Sequence, residues 1–139
     1  MKIYLASPLF NEEEINNIDQ AEKILRAKGH TVFSPREHEN REFDVGTRAW
    51  SQQIFNLDRK YIDWCDCMVM LYYGGYSDSG TAWECGYAYG CHKPIVVVQL
   101  GKDSNLMVHE GCHTNIKLED LENYDFDTMP TYSYSGEMF

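Results

Sequence analysis

The sequence predicts an α/β fold, in which a doubly wound, five-stranded parallel sheet carries helices on both faces. Short apolar runs alternate with longer segments of helical periodicity, and this alternation favours parallel strands joined by right-handed helical crossovers. Residues 67–72 and 95–98 are apolar throughout, as expected of strands that are covered on both faces. The 139 residues are enough for a single domain, 1–139, with a sizeable core.

The helices and strands are predicted from the spacing of the apolar residues and from the residues that end each element. Proline ends an apolar run, acidic residues favour the start of a helix, and glycine ends one. The polar segment 34–46 has no period and is long for a connection, so we expect it to be functional. The aromatic tail 124–139 should dock on a surface. The predicted elements are, in order, strand 2–6, helix 11–28, strand 31–33, helix 47–64, strand 67–72, a helix after the glycines at 74–75, strand 95–99, a short helix 105–112 and a strand 115–118.

Composition and charge narrow the class of partner. A formal net charge of −10 argues against nucleic acid polymers, whose phosphates would be repelled, and leaves neutral small molecules as ligands. The five cysteines are odd in number and follow no signal peptide, so reduced thiols in the cytoplasm are expected. No apolar run approaches the ~20 residues that a membrane span needs.

One stretch carries most of the predicted chemistry: a buried strand, a glycine loop and a helix with an acidic residue. Gly74 and Gly75 break the strand, and Asp78 or Ser79 is placed to cap the helix that follows. Glu84 then projects from about the second turn of that helix. Ligands of an open parallel sheet bind beyond the carboxyl ends of the strands, so the two carboxylates are expected at one crevice. Glycosyl chemistry uses such a pair of carboxylates.

The same stretch also has a purely structural interpretation. Residues 81–84, Thr-Ala-Trp-Glu, fit the capping-box pattern, in which the glutamate only reaches back to the amide at the start of the helix. The glycines at 80, 86 and 90 favour a function, because each costs roughly 1 kcal/mol relative to alanine inside a helix. Close backbone packing or a ligand is expected to compensate for that cost.

Asp58 lies in the apolar stripe of the predicted helix 47–64. At 100° per residue it falls between Ile54 and Ile62, on the buried side of the helix. A carboxylate is costly there unless it is paired or functional. Function is the favoured interpretation, and the alternative is an edge residue that reaches solvent.

His109 and His113 match H-E-x-x-H, the pattern of zinc proteases. That chemistry needs both histidines on one face of a sturdy helix and a third ligand. Gly111 interrupts the motif and the predicted helix is short, so no metal site is expected. Cys65 and Cys67 lack metal-ligand spacing and are interpreted as core thiols.

Several blocks of the sequence together resemble the nucleoside 2-deoxyribosyltransferase family. The resemblance runs from end to end, and the blocks stand in the family's order. They are residues 3–11 (IYLASPLFN), 30–36 (HTVFSPR), 78–86 (DSGTAWECG), 105–107 (NLM) and 122–126 (ENYDF). The resemblance implies a flavodoxin-like doubly wound sheet and an enzyme that moves 2-deoxyribose between nucleobases in two steps, without a cofactor.

The resemblance also implies a role for each matching residue. Glu84 would attack the anomeric carbon and form a covalent deoxyribosyl-enzyme, with Tyr4 holding its carboxylate. Asp58 and Asp78 would contact the base, and Asp78 would donate a proton to the departing ring nitrogen. The other residues expected to bind substrate are Asn105 at the sugar 5′-hydroxyl, Met107 beside the nucleophile, Phe10 and Phe139.

The partners implied by the resemblance are 2′-deoxynucleosides, free nucleobases and further copies of the chain. The protein would be a homo-oligomer, a hexamer as in related transferases. Those relatives place the terminal carboxylate and the residue matching Asn105 beside the sugar in a neighbouring subunit, so the α-carboxylate of Phe139 would help to hold the 5′-hydroxyl there. Neither a nucleic acid polymer nor a membrane is expected as a partner.

Two alternative functions stay open at this point. A nucleoside 5′-monophosphate N-glycosidase would use the same glutamate with water as the acceptor. Those relatives typically carry serine where this chain has Asn105, and the asparagine and the acidic background favour an unphosphorylated sugar. A non-catalytic nucleotide-binding module would explain the crevice, but not Glu84, Asp78 and Asp58 together.

Overall fold

Five parallel strands form a single sheet in the order β2-β1-β3-β4-β5, in a computed structural model that describes residues 1–39 and 42–139. The chain runs outward from β1 in one direction to β2 and in the other through β3, so a crevice opens where the order reverses. The predicted doubly wound, flavodoxin-like fold is therefore confirmed. The strands are β1 Lys2–Ala6, β2 Thr31–Phe33, β3 Cys67–Tyr72, β4 Ile95–Gln99 and β5 Thr114–Lys117.

Four α-helices in the described part of the chain connect the strands, and the bounds of the first, second and fourth agree with the predicted ones to within about a residue. Asn11 and Thr47 cap the first two through their side-chain oxygens. Within the described residues no helix is long and apolar enough to cross a membrane. The helices are α1 Glu12–Ala27, α2 Arg48–Trp64, α3 Ser79–Gly90 and α4 Leu106–Gly111.

The predicted loop 34–46 is partly ordered as a helical turn. A 3₁₀ helix spans Pro35–His38, and Arg36 there pairs with both carboxylate oxygens of the buried Glu22 in α1. A buried carboxylate with a matching guanidinium fixes this turn against α1. Residues 40–41 of the predicted loop lie outside the described part of the chain.

The alternation of side chains along β1 decides which face of the sheet Tyr4 occupies. Ile3 and Leu5 join the core layer that contains α1. Tyr4 points to the opposite layer, together with Ile62 of α2 and Cys85 of α3. Tyr4 is fully buried there and faces α2 and α3.

The helix α2 is less buried than its apolar stripe predicted. Within α2 only Ile62 is buried, while the stripe residues Trp50, Ile54, Leu57 and Tyr61 are half-buried. Phe55 of α2 is 48% exposed and packs against Trp83 of α3, which is also 48% exposed. Together with Tyr87, which stacks on Trp83, these residues form an exposed aromatic surface on α2 and α3.

The tail docks along β5 and α4 of its own chain. Tyr124 is buried in the core on the α1 side of the sheet. Farther along, the Asn115 N–H donates to the main-chain oxygen of Tyr132 at 2.9 Å, and the Phe139 N–H donates to that of Ser104 at 3.4 Å. Docking of the tail is therefore confirmed, and the surface it uses is its own domain.

Candidate active site

Tyr4 and Glu84 form the central contact of the candidate site. The Tyr4 hydroxyl donates a hydrogen bond to Glu84 Oε2, which joins β1 to α3. The glutamate therefore reaches a different element instead of the amide at the start of its own helix, so the capping-box interpretation of residues 81–84 is wrong. A charge-assisted hydrogen bond from a fully buried donor holds the carboxylate in one orientation.

Burial raises the pKa of the Glu84 carboxyl from 4.5 to about 8. Loss of hydration is the largest cause, the negative charge of Asp58 adds to it, and the hydrogen bond from Tyr4 opposes it. Burial and the Glu84 charge also raise the pKa of the Tyr4 hydroxyl far above its ordinary value. Tyr4 therefore stays protonated and acts as the donor whenever Glu84 is ionised.

Asp58 lies on the half-buried side of α2, as its position in the apolar stripe predicted. Its charge acts on both Tyr4 and Glu84, so α2 brings it to the same site. Burial raises the pKa of Asp58 from 3.8 to about 6. No group in the described ranges 1–39 and 42–139 hydrogen-bonds to this carboxyl, which leaves both of its oxygens available to a ligand.

Asp78 stands at the start of α3 with its carboxylate turned towards the preceding loop. It accepts the N–H of Gly75 at 2.9 Å and that of Tyr73 at 3.3 Å. No side-chain cap forms on α3, so the predicted capping role of Asp78 is wrong, and the residue closes the glycine loop instead. Asp78 is 3% exposed, and burial raises the pKa of its carboxyl.

Gly74 allows the two loops at the carboxyl ends of β3 and β4 to pack closely. Its φ is +84°, and a Cβ there would collide with the main chain of Asp103. Gly101 makes the reciprocal contact, because a Cβ there would collide with the main chain of Tyr73. The glycine break in the sequence therefore marks a backbone-to-backbone contact at the rim of the crevice.

A cavity of about 680 Å³ lies between α3 and α4, and Asp78, Asn105 and Met107 line it. Glu84 is not among its lining residues. Ala82 and Gly86 are, and each is two positions from Glu84, hence ~160° away around the helix axis.

Within one chain the predicted site residues therefore form two groups. The structure brings Tyr4, Asp58 and Glu84 together on one side of α3, and places Asp78 with Asn105 and Met107 at the cavity on the other. A larger cavity, of about 850 Å³, lies beside β5 and residues 130–135 and contains none of the predicted site residues.

Asn105 is held in a defined orientation at the start of α4. Its Oδ1 accepts the Met107 N–H at 2.9 Å, which leaves the amide Nδ2 as the group that can donate to a ligand. The Leu106 N–H donates to the main-chain oxygen of Phe139 at 3.2 Å, so Phe139 lies beside Asn105. Phe10 lies elsewhere, in the loop after β1, and is 76% exposed.

The glycines of α3 are not explained by packing within this chain. A Cβ at Gly80, Gly86 or Gly90 would meet no described atom within 4 Å. Close backbone packing within this chain therefore does not compensate for the cost of these glycines. A ligand remains the other expected compensation, and a second chain would also fill this space.

The two histidines of the H-E-x-x-H match lie on different elements. His109 is in α4, with its ring nitrogens 2.6 Å from Asn115 Oδ1 and 3.1 Å from Ser104 Oγ. His113 precedes β5, and its Nε2 lies 2.7 Å from the main-chain oxygen of Met129. No cluster of three or more His, Cys, Asp or Glu able to hold a metal occurs among the described residues. Cys65 and Cys67 are buried core thiols, as interpreted from the sequence.

A group of rings around Tyr4 was missed by the sequence interpretation. Phe33 stacks on Tyr4 with 5.5 Å between ring centroids, and on Tyr61 and His38 at 3.8 and 4.4 Å. The signal is the register of β1 and β2, which pairs Tyr4 with Phe33. The stack restrains the ring whose hydroxyl holds Glu84.

Comparison with known proteins identifies the family. A sequence model of the family described as nucleoside 2-deoxyribosyltransferase matches residues 3–123. The chain belongs to this family. As a nucleoside deoxyribosyltransferase, it is an enzyme that acts on deoxynucleosides and nucleobases.

Three relatives show how far the similarity to this deoxyribosyltransferase extends. A solved 2-deoxyribosyltransferase from Bacillus psychrosaccharolyticus is 42% identical with a TM-score of 0.90, covering 96% of this chain and 99% of that one. A nucleoside deoxyribosyltransferase from Limosilactobacillus fermentum is 29% identical, covering 99% of this chain and 88% of that protein. A CMP N-glycosidase from Clostridium botulinum, 20% identical with a TM-score of 0.63 over 88% of this chain and 96% of that one, shares the fold.

Proposed function

We propose that this chain transfers 2-deoxyribose from one nucleobase to another in two steps, through a covalent intermediate on Glu84. The observation that carries the proposal is the Glu84 carboxylate held by the buried hydroxyl of Tyr4, with Asp58 beside it. A fixed, poorly hydrated carboxylate is the group that an oxocarbenium-like transition state requires beneath the sugar.

In the first step a Glu84 oxygen attacks the anomeric carbon of a 2′-deoxynucleoside. The bond between that carbon and the base nitrogen breaks, and its electron pair leaves with the base. A protonated carboxyl group supplies the proton that the departing nitrogen takes up. The products are a deoxyribosyl ester of Glu84 and a free nucleobase.

In the second step a nitrogen of another nucleobase attacks the same carbon. The ester bond breaks, the Glu84 carboxylate is released, and the proton of the attacking nitrogen returns to the acid. Two inversions at the anomeric carbon give overall retention. Neither step requires a cofactor, because the sugar passes between two nitrogen nucleophiles with no change in oxidation state.

The proposal needs one ionised and one protonated carboxyl group in the site at the same time. Because the pKa values of Glu84 and Asp58 are raised to about 8 and about 6, the pair holds a single proton near neutral pH. The positive charge that develops on the sugar favours the ionised form of Glu84. The proton that Glu84, the group of higher pKa, holds in the free site is then transferred to Asp58.

Asp78 is the proton donor that the sequence predicts, and Asp58 is a second candidate. The carboxylate of Asp78 is already engaged by the amides of Tyr73 and Gly75, whereas Asp58 has no hydrogen-bond partner among the described residues and is electrostatically coupled to Glu84. Both remain in the proposal as residues that contact the base, and their division of roles is testable.

The position of Asn105 supports a site shared between two copies of the chain. Asn105 and Met107 lie across α3 from Glu84 of the same chain, so a neighbouring copy is the simplest way to bring them to its sugar. The exposed aromatic surface of Phe55, Trp83 and Tyr87 beside Glu84, and the unpacked glycines of α3, supply surface for such a neighbour. We therefore propose a homo-oligomer with shared sites.

Trapping the intermediate tests the proposal directly. A 2′-deoxy-2′-fluoronucleoside destabilises the oxocarbenium-like transition state and slows the second step, so intact mass spectrometry should show one sugar per chain. Peptide mapping should place it on Glu84. Glu84→Gln should give no adduct and no base exchange, whereas Glu119→Gln, at an exposed glutamate, should behave as the unmodified protein. Full turnover by Glu84→Gln would overturn the mechanism.

A further inference from the structure

A network of hydrogen bonds centred on His109 links α4 to the tail. The Ser104 and Tyr134 hydroxyls are hydrogen-bonded to each other at 2.8 Å, and His109 Nε2 lies 3.1 Å from Ser104 Oγ. His109 Nδ1 donates to Asn115 Oδ1 at 2.6 Å, because that oxygen can only accept. The Asn115 amide in turn donates to the main-chain oxygen of Tyr132 at 3.3 Å. The network therefore begins and ends on the tail, at Tyr134 and Tyr132.

Stacking strengthens this connection. The ring of Tyr134 lies over the imidazole of His109 with 3.8 Å between centroids and 8° between planes, and His109 is 5% exposed. Gly136 passes so close to the Tyr134 hydroxyl that a Cβ there would collide with it. The tail is thus fitted around one buried histidine.

Ser104, His109 and Asn115 have the order of a hydrolytic triad, but their surroundings indicate a different role. A triad needs an exposed serine oxygen that a substrate carbonyl can reach. Here the Tyr134 ring covers the imidazole, and the Tyr134 hydroxyl is hydrogen-bonded to Ser104 Oγ. The arrangement holds a segment of chain in place.

The segment that it holds lies against both neighbours of Asn105. The Phe139 N–H donates to the main-chain oxygen of Ser104, and the Leu106 N–H donates to the main-chain oxygen of Phe139. The His109 N–H donates to the main-chain oxygen of Asn105 at 3.3 Å. Asn105 therefore sits in a frame whose geometry depends on the docked tail.

We infer that His109 is a positioning residue for sugar recognition: it clasps residues 132–139 to α4 and so keeps the Asn105 amide aimed at the sugar 5′-hydroxyl. This inference rests on the proposed function, in which Asn105 binds that hydroxyl. Buried polar contacts of this kind fix one arrangement, because each group left without its partner is costly. Loosening the clasp should weaken recognition of the hydroxyl while leaving Glu84, on the other side of α3, unaffected.

Two substrates distinguish a positioning role of His109 from a general loss of structure. Thymidine carries the 5′-hydroxyl and 5′-deoxythymidine lacks it, so the ratio of their kcat/KM values measures recognition of that group. His109→Phe keeps a ring beneath Tyr134 and removes both hydrogen bonds. It should lower the ratio about tenfold, by raising KM for thymidine, and leave kcat/KM for 5′-deoxythymidine unchanged. Tyr134→Phe, which removes only the hydroxyl, should lower the ratio by a smaller factor.

Two further variants serve as a control and as a test of the sugar contact itself. Tyr132→Phe alters an exposed side chain, and Tyr132 contacts the clasp only through its main-chain oxygen, so this variant should leave the ratio unchanged.

Asn105→Ala should abolish the preference for thymidine; if it does not, the proposed sugar contact fails, and this inference with it. If Asn105→Ala abolishes the preference but His109→Phe and Tyr134→Phe retain it, the clasp alone is refuted. An equal loss with both substrates also refutes it, because it indicates a structural defect. Where His109→Phe does not fold, Tyr134→Phe is read by the same criteria.

Discussion

Tyr4 and Glu84 are 80 residues apart in the sequence, and the hydroxyl of the first donates to the carboxylate of the second. The contact crosses from the interior strand β1 to α3, the helix after the glycine loop. It opposes the effect of burial on the pKa of Glu84, since it stabilises the carboxylate and not the acid. Changing either residue of this pair is the most direct test of the proposed chemistry.

The pH dependence of base exchange should reflect a site that holds one proton. We expect kcat/KM to be bell-shaped, with limbs near the pKa values of about 6 for Asp58 and about 8 for Glu84. Tyr4→Phe removes the hydrogen bond that favours the Glu84 carboxylate, so the alkaline limb should move up by about one pH unit and the maximum should fall. Tyr87→Phe, which loses a similar bond to Asp63, serves as the control. Identical profiles for Tyr4→Phe and the unmodified protein would contradict the assignment.

Removing the Glu84 charge should stabilise the fold at alkaline pH. The folded pKa is about 8 and the ordinary value is 4.5, so the folded state holds a proton that the unfolded state has released. The stability from this group is fully present below about pH 4.5 and is lost as the pH rises through 8. The Tm of Glu84→Gln relative to the unmodified protein should therefore increase between pH 5 and pH 9, by about 4 °C for each kcal/mol recovered. Glu119→Gln should show no such trend; a Tm difference for Glu84→Gln that is constant with pH would refute the raised pKa.

Asp58→Asn and Asp78→Asn should separate the proton donor from the residue that only binds the base. The cationic base of 7-methyl-2′-deoxyguanosine leaves without taking up a proton. A variant that lacks the donor should therefore lose about 10² to 10⁴ in kcat with thymidine and much less with the methylated substrate. A variant that lacks only a binding contact should lose activity with both. If neither aspartate variant shows this selectivity, the proton comes from another group.

The 5′ position of the substrate should distinguish base transfer from hydrolysis of nucleotides. Asn105 offers a neutral amide to the sugar, and the chain carries a formal net charge of −10, so a 5′-phosphate should be disfavoured. We expect kcat/KM for thymidine to exceed that for its 5′-monophosphate by at least about tenfold, with adenine, not water, as the main acceptor. Chromatography of the two incubations measures both quantities. Faster cleavage of the monophosphate would place the chain with the N-glycosidases.

A mixture of two impaired variants should regain activity when sites are shared between subunits. Glu84→Ala lacks the nucleophile, and Asn105→Ala lacks the sugar contact across α3. Co-expressed chains form some sites that combine an intact Glu84 with a neighbour's intact Asn105, so base exchange should exceed that of either variant alone. Light scattering should show a homo-oligomer in every case. An active monomer, or a mixture no more active than its components, would exclude shared sites.

The sequence by itself determined the elements and the fold class. The strands β1 to β4 are short, mostly apolar runs with clear stop signals, and these local patterns can be recognised without knowing what packs against them. Asp58 was also predictable, because a carboxylate within an apolar stripe is unusual in any fold. The five sequence blocks, taken together, indicated the family that the comparisons then confirmed.

The tertiary structure decided which partner each polar group takes. Glu84 fits a capping box locally, but the strand order places Tyr4 within its reach, and a fully buried donor competes better than an amide near solvent. The same reasoning applies to His109, which matched a metal motif in the sequence and is engaged by Ser104 and Asn115 in the fold. Hydrogen-bond partners of this kind come from distant segments, so only the packing of β1, α3 and the tail fixes them.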